Sequence, residues 1–109
     1  MDGQIRDMLI EAAQQRRVLS YAEVGEVLNL DMDNPHHRRE IGRILGEIST
    51  EEHNNGRPLL SAVVVHRENH RPGPGFFSLA RELGIQGPDE DDETFYTNEL
   101  NRVFNQAEW

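Results

Sequence analysis

The sequence contains no cysteine and no lysine. The missing cysteine rules out disulfide staples, thiolate nucleophiles, Cys-ligated zinc and iron–sulfur clusters. The missing lysine leaves all 11 basic residues as arginine, a bias we read as genome composition or a salt-adapted host rather than as chemistry. No apolar run approaches the roughly 20 residues needed to span a bilayer. The start, Met1-Asp2-Gly3-Gln4-Ile5-Arg6, has no basic flank leading into an apolar stretch. No secretory signal is therefore visible, and the cytoplasm is the expected compartment.

What is present suits one domain. A chain of 109 residues with 36% hydrophobic and 28% charged residues can bury a single core. The net charge is −9, from 20 acidic and 11 basic residues, and two-thirds of it falls in residues 86–109. An anionic chain does not suit nucleic acid unless its cations are segregated, because phosphate contacts supply most non-specific affinity.

Apolar spacing predicts a helix over 3–17 with Ile5, Met8, Leu9, Ala12 and Ala13 on one face, capped by Asp2, with Arg16 and Arg17 at its negative end. Val18-Leu19 reads as extended. Ser20-Tyr21-Ala22-Glu23 has the capping-box pattern and starts a short helix ending near Asn29-Leu30. Asn34-Pro35, a cap followed by proline at the first helical position, starts a helix over 35–53 with Ile41, Ile44, Leu45 and Ile48 inward. Gly42 and Gly46 cost that helix roughly 1 kcal/mol each against alanine, which suggests close approach to a neighbouring helix. Asn54-Asn55-Gly56 is its stop. Leu59 to Val65 reads as a strand, with a turn at Glu68-Asn69-His70 making a hairpin. Arg71-Pro72-Gly73-Pro74-Gly75 is irregular and leads to Phe76-Phe77 and a short helix stopped by Gly84. Residues 86–92 read as an acidic linker. Glu93 to Glu108 reads as a final helix with Phe95 or Tyr96, Leu100, Val103, Phe104 and Ala107 on one face.

The expected fold is a small α+β winged-helix domain: helix-turn-helix, then a β-hairpin wing, with an added helix at each end. Residues 1–85 form the domain, and the helix at 93–109 packs back on it. The second helix of the pair would be the recognition element.

Pro35-His36-His37-Arg38-Arg39 occupies the start of that helix, where free N–H groups favour phosphate. Arg38, Arg39 and Arg43 add charge, and Arg39 and Arg43 lie one turn apart. Cations at a helix N-terminus are unfavourable, so they call for an explanation. Nucleic-acid contact is one; a solvated helix start whose arginines pair with Asp31, Asp33 and Glu40 is the other. Arg67 and Arg71, in a stretch with His66 and His70, would form the wing tip. The five histidines have no ligand spacing that points to a metal, and no cofactor motif is present. Ser20 is better explained as a cap, and Ser61 lacks a nucleophile elbow, so no enzyme is expected. Asp89, Glu90, Asp91 and Asp92 read as a hydrated linker or as a docking surface for a basic protein partner. Trp109 would pack on its own domain or, if exposed, anchor that partner.

Ser20-Tyr21-Ala22-Glu23-Val24-Gly25 and Arg39-Glu40-Ile41-Gly42, followed by Pro58 to Val65 and Gly73 to Phe76, resemble the DNA-binding half of the alkylguanine-DNA alkyltransferases and alkyltransferase-like proteins. The resemblance covers Leu19 to Phe76, about half the chain. It implies duplex DNA as partner, with Tyr21 pressing on a phosphate and Arg39 entering the base stack. The family's Pro-Cys-His-Arg motif is replaced by Leu60-Ser61-Ala62-Val63, so alkyl transfer by that chemistry is excluded. Residues that the alkyltransferase-like proteins keep beside that position are missing too, which argues against a lesion pocket; no small-molecule substrate is evident. Gly42-Arg43-Ile44-Leu45-Gly46, Arg71 to Phe77, and Val103-Phe104 with Trp109 also resemble small prokaryotic proteins of unassigned function. The expectation is a non-enzymatic DNA-binding module contacting the duplex through 35–53 and 66–71 with Tyr21, His37, Arg38, Arg39, Arg43, Arg67 and Arg71. The alternative is an acidic interaction subunit docking on a larger protein through 89–109.

Overall fold

The run from Pro58 to Val65 is the hub of this protein. In the computed structural model, which describes residues 3–107 and 109, all eight of its residues are buried. Leu60–Val63 form a 3-10 helix and Val64–Val65 a two-residue strand, β2. This corrects the single strand expected over 59–65. A strand there would need ladder partners on both edges. Helix side chains replace those partners. The Leu59 N–H donates to the Glu99 carboxylate at 2.8 Å, the Ser61 N–H donates to Ser49 Oγ at 3.0 Å, and the Tyr96 hydroxyl donates to the Ala62 carbonyl at 2.9 Å. Leu59 and Leu60 are completely buried, each worth roughly 1.5–3 kcal/mol in apolar transfer.

Three helices enclose this hub: α1 (Gly3–Gln14), α3 (Pro35–Asn54) and α5 (Asp92–Phe104). The first helix ends three residues before the position expected, because Arg16 takes a left-handed conformation with φ 55°. The Arg17 N–H then reaches the Ala12 carbonyl and the Arg16 N–H the Ala13 carbonyl, which satisfies the helix end. Asp2, expected as the cap of α1, and Glu108, expected as the end of the last helix, lie outside the described residues. Strand β1 (Leu19–Ser20) pairs with β2 in parallel, Leu19 opposite Val64 and Ser20 opposite Val65. The molecule is thus helix-dominated α+β with a two-stranded parallel sheet.

Helix α2 (Tyr21–Leu28) starts on the expected capping box: Ser20 Oγ accepts from the Glu23 N–H at 3.1 Å and Glu23 Oε1 accepts from the Ser20 N–H at 3.0 Å. Helix α3 starts as expected on Asn34, whose side chain accepts from the His36 N–H. Close helix approach occurs at Gly25, not at Gly42 or Gly46. A Cβ on Gly25 would lie 2.9 Å from the Leu30 carbonyl oxygen and 3.3 Å from Ile41 Cδ1, whereas one on Gly42 or Gly46 would meet nothing within 4 Å.

Four further expectations change. Residues 66–71 close a loop rather than a hairpin: the His66 N–H donates to the Arg71 carbonyl and the His70 N–H to the His66 carbonyl, with His70 left-handed at φ 55°. Among the described residues no antiparallel strand pair forms; after the loop the chain enters a helix rather than a returning strand. Helix α4 (Pro74–Glu82) begins earlier than expected, with Pro74 in its first turn and Phe76 and Phe77 buried on it. The 86–92 segment is held in place rather than hydrated throughout. Gln86 is 3% exposed and donates to the Glu90 carbonyl and to Asp92, while Asp91 caps α5. Helix α5 ends at Phe104, so Ala107 is exposed instead of sharing the buried face of Phe95, Tyr96 and Val103. No helix among the described residues is long and apolar enough to cross a membrane.

Candidate nucleic-acid interface

The α2–α3 pair is joined by the turn 29–34, which Asn29 enters with φ 58°. It presents the N-terminal turns of α3 at the surface beside the 66–73 loop. Tyr21, the first residue of α2, ties these parts together. Its Oη accepts from the Gly73 N–H at 2.8 Å, and its ring lies against His66 with centroids 4.6 Å apart. Burial pushes the Tyr21 hydroxyl pKa up, partly offset by the Gly73 hydrogen bond. The half-buried Tyr21 thus positions the loop.

The arginines divide sharply. Arg38 donates to the Met32 carbonyl at 3.0 Å, and Arg39 lies 2.8 Å from His36 Nδ1. Neither has a carboxylate partner among the described residues, so the pairing with Asp31, Asp33 and Glu40 does not occur at these two. The exposed Arg67 has none either. Arg43 and Arg71, by contrast, are engaged. Arg43 binds Glu40 at 2.5 Å and also Glu47; those two carboxylates raise its pKa, Glu40 most. Arg71 binds Glu93 and sits 5.5 Å from the Tyr96 ring centroid. Burial pushes the Tyr96 hydroxyl to about 12 despite the nearby Arg71 cation. Arg43 and Arg71 therefore do not join Arg38, Arg39 and Arg67 as cations without acid partners. His37 is also taken, since its Nδ1 accepts from the Asp31 N–H at 2.8 Å and so shapes the turn before α3.

Residue spacing alone did not reveal the cavity beside this surface. It measures about 550 Å³ and opens between α3, the 66–75 segment and α4. Arg38 and Arg39 are on its lining, with Tyr21 and His66 along one wall and Phe76 and Leu79 supplying apolar surface. Gly42 and Gly46 also line it, which accounts for two glycines inside a helix that pack against nothing: side chains there would fill the space. The sequence argued against a pocket here. The glycine spacing on the Arg39 face was the signal available. Ser61 lines the same cavity and is bonded to Ser49 rather than to an imidazole. Among the described residues no three His, Asp or Glu side chains gather as metal ligands.

The proposed protein-docking residues lie elsewhere and are largely engaged. Asp91 accepts from the Thr94 N–H at 2.8 Å, a bond that lowers its pKa. Asp92 pairs with Arg81 at 2.8 Å, and Glu90 gives its carbonyl to Gln86. Asp89 is exposed. Trp109 donates its indole N–H to the Val103 carbonyl at 2.8 Å and packs on the core of its own chain.

No family model, curated protein or solved structure matches this chain.

Proposed function

We propose that this protein is a non-enzymatic binding module for duplex DNA, a winged-helix-like unit in which the 66–73 loop stands where a hairpin wing would be. The observation that carries this reading is the pair Arg38 and Arg39, free of carboxylates at the N-terminal turn of α3 and at the rim of an apolar cavity. Helix N–H groups and guanidiniums together suit phosphate and base edges. Arg67 extends the cationic surface from the loop side. Arg43 and Arg71 are held by acids and contribute little. The cavity receives a base turned out of the stack, against Phe76 and Leu79, with Arg39 filling the space the base leaves. Arg39 in the base stack fits the resemblance drawn from residues 19–76; the base pocket does not come from that resemblance but from the cavity. The rival, docking of a protein on 89–109, has less support because most of those acids serve helix ends and ion pairs within the chain.

Fluorescence anisotropy with a labelled duplex across a salt series tests the reading. Replacing Arg38 and Arg39 together by alanine should weaken binding and reduce the slope of log affinity against log salt by about 1 for each phosphate no longer neutralised. An unchanged slope and affinity would remove the proposal. A duplex carrying 2-aminopurine should brighten on binding if a base leaves the stack.

A further inference from the structure

The side chains lining the cavity offer hydrogen-bond donors and almost no acceptors. The chain has 20 acidic residues, yet among the described residues no carboxylate lines it. Two hydroxyls deepen the bias, because each already accepts from inside the protein. Ser49 on α3 is 0% exposed, and its Oγ accepts the Ser61 N–H. Its own proton has one acceptor among the described residues, Ser61 Oγ at 2.6 Å. A sealed hydroxyl left without an acceptor is costly, so Ser49 donates and Ser61 accepts. The Ser61 proton is then the one left over, on a residue that lines the cavity. Tyr21 repeats the pattern: its Oη accepts the Gly73 N–H, and its proton has no acceptor among the described residues. Arg38 and Arg39 can only donate. His66 can play either part, and the two hydroxyls can accept again only through a second lone pair, with their own protons then left without a partner.

Resting on the reading of the cavity as a base site, we infer that it selects by the acceptor edge of its occupant, with Ser61 as a specificity-determining donor. A base presenting an oxo oxygen meets the Ser61 and Tyr21 protons. The same ring carrying an exocyclic amine can be accepted only on a hydroxyl's second lone pair, which leaves the hydroxyl's own proton unpaired after desolvation.

The experiment uses the full chain and two otherwise identical duplexes, one with a single hypoxanthine and one with a single adenine, each opposite an abasic residue so that no pairing partner differs. The hypoxanthine duplex should bind about tenfold more tightly, the scale of one hydrogen bond made rather than forgone. Ser61→Ala should bring the ratio toward one. Ser61→Cys, which keeps an acceptor for Ser49 but donates weakly, should do the same if the alanine variant fails to fold. A ratio taken within one variant is not moved by a general loss of stability. Equal binding of the two duplexes by the unaltered protein, or a ratio that survives both substitutions, would overturn the inference while leaving duplex binding intact. No binding of either duplex would overturn the proposed function with it.

Discussion

The two ends of α3 treat charge in opposite ways. At its C-terminal end, Glu52 is completely buried, and its carboxylate takes Arg6 at 2.5 Å and Arg57 at 2.5 Å. At its N-terminal end, Arg38 and Arg39 have no carboxylate partner among the described residues. The first arrangement is a closed unit that fastens α1 and the 57–59 segment to α3. The second leaves cations where the helix dipole already disfavours them. One arginine pair is tied completely to an acid and the other is left open at the cavity rim, and that contrast is what supports the N-terminal end of α3 as the proposed site.

Breaking the closed end should give the largest effect. Glu52→Ala leaves two guanidiniums facing each other beside the core. We expect a loss of about 2–3 kcal/mol in urea denaturation, below the 3–5 of a sealed pair because both arginines keep partial solvent contact. Duplex affinity of the folded fraction should be unaffected.

Acid should attack the same end. Burial alone would raise the Glu52 pKa, but the Arg6 and Arg57 hydrogen bonds outweigh it and hold the carboxyl below its ordinary range. A lowered folded value means the stabilisation is complete above the unfolded pKa of about 4.3 and is lost as pH falls through the folded value. Stability measured against pH should therefore decline below about pH 4. Glu52→Gln should be less stable at neutral pH and show a shallower acid decline.

Filling the open end sharpens the contrast further. Gly42→Ala places a methyl where nothing lies within 4 Å, so the helix gains about 1 kcal/mol, seen as a higher melting temperature. Gly46→Leu projects into the cavity instead. It should suppress the 2-aminopurine signal while the protein stays folded. A protein whose Gly46 merely tolerated helix would lose nothing by the leucine change.

The closed end was hidden in the sequence and the open end was half visible. Capping signals are local, so Ser20-Tyr21-Ala22-Glu23 and Asn34-Pro35 fixed both helix starts. The exposed Arg38 and Arg39 could be placed because helix periodicity sets their side. Nothing local marks Glu52 and Glu99 as buried acids, since the distant partners that hold them, Arg6 and the Leu59 N–H, lie 46 and 40 residues away in sequence. The Leu59 to Val65 run misled for the same reason: a β-branched apolar stretch predicts a strand only when a strand is there to pair with it. Here helices α1, α3 and α5 enclose it, and the backbone is satisfied by Glu99, Ser49 and Tyr96. The cavity was legible only through Gly42 and Gly46, which spacing alone cannot tell from sites of close packing.

Arg43 offers the smallest and most discriminating test, because it sits one turn from Arg39 yet behaves like the closed end. Glu40 and Glu47 hold it in exposed i,i+3 and i,i+4 pairs. Each pair is weak in water, but the two anions together offset the Arg43 charge, so Arg43→Ala should change duplex affinity by about twofold or less, where Arg39→Ala changes it more. Glu40→Gln with Glu47→Gln should act in the other direction. It frees Arg43 and removes two anions from beside the phosphate path, so affinity should rise and its salt slope steepen. If the double glutamine variant binds no better than the unaltered protein while Arg43→Ala binds as weakly as Arg39→Ala, then Arg43 reaches the duplex despite its acids, and the division of α3 into an open and a closed part fails at its middle turn.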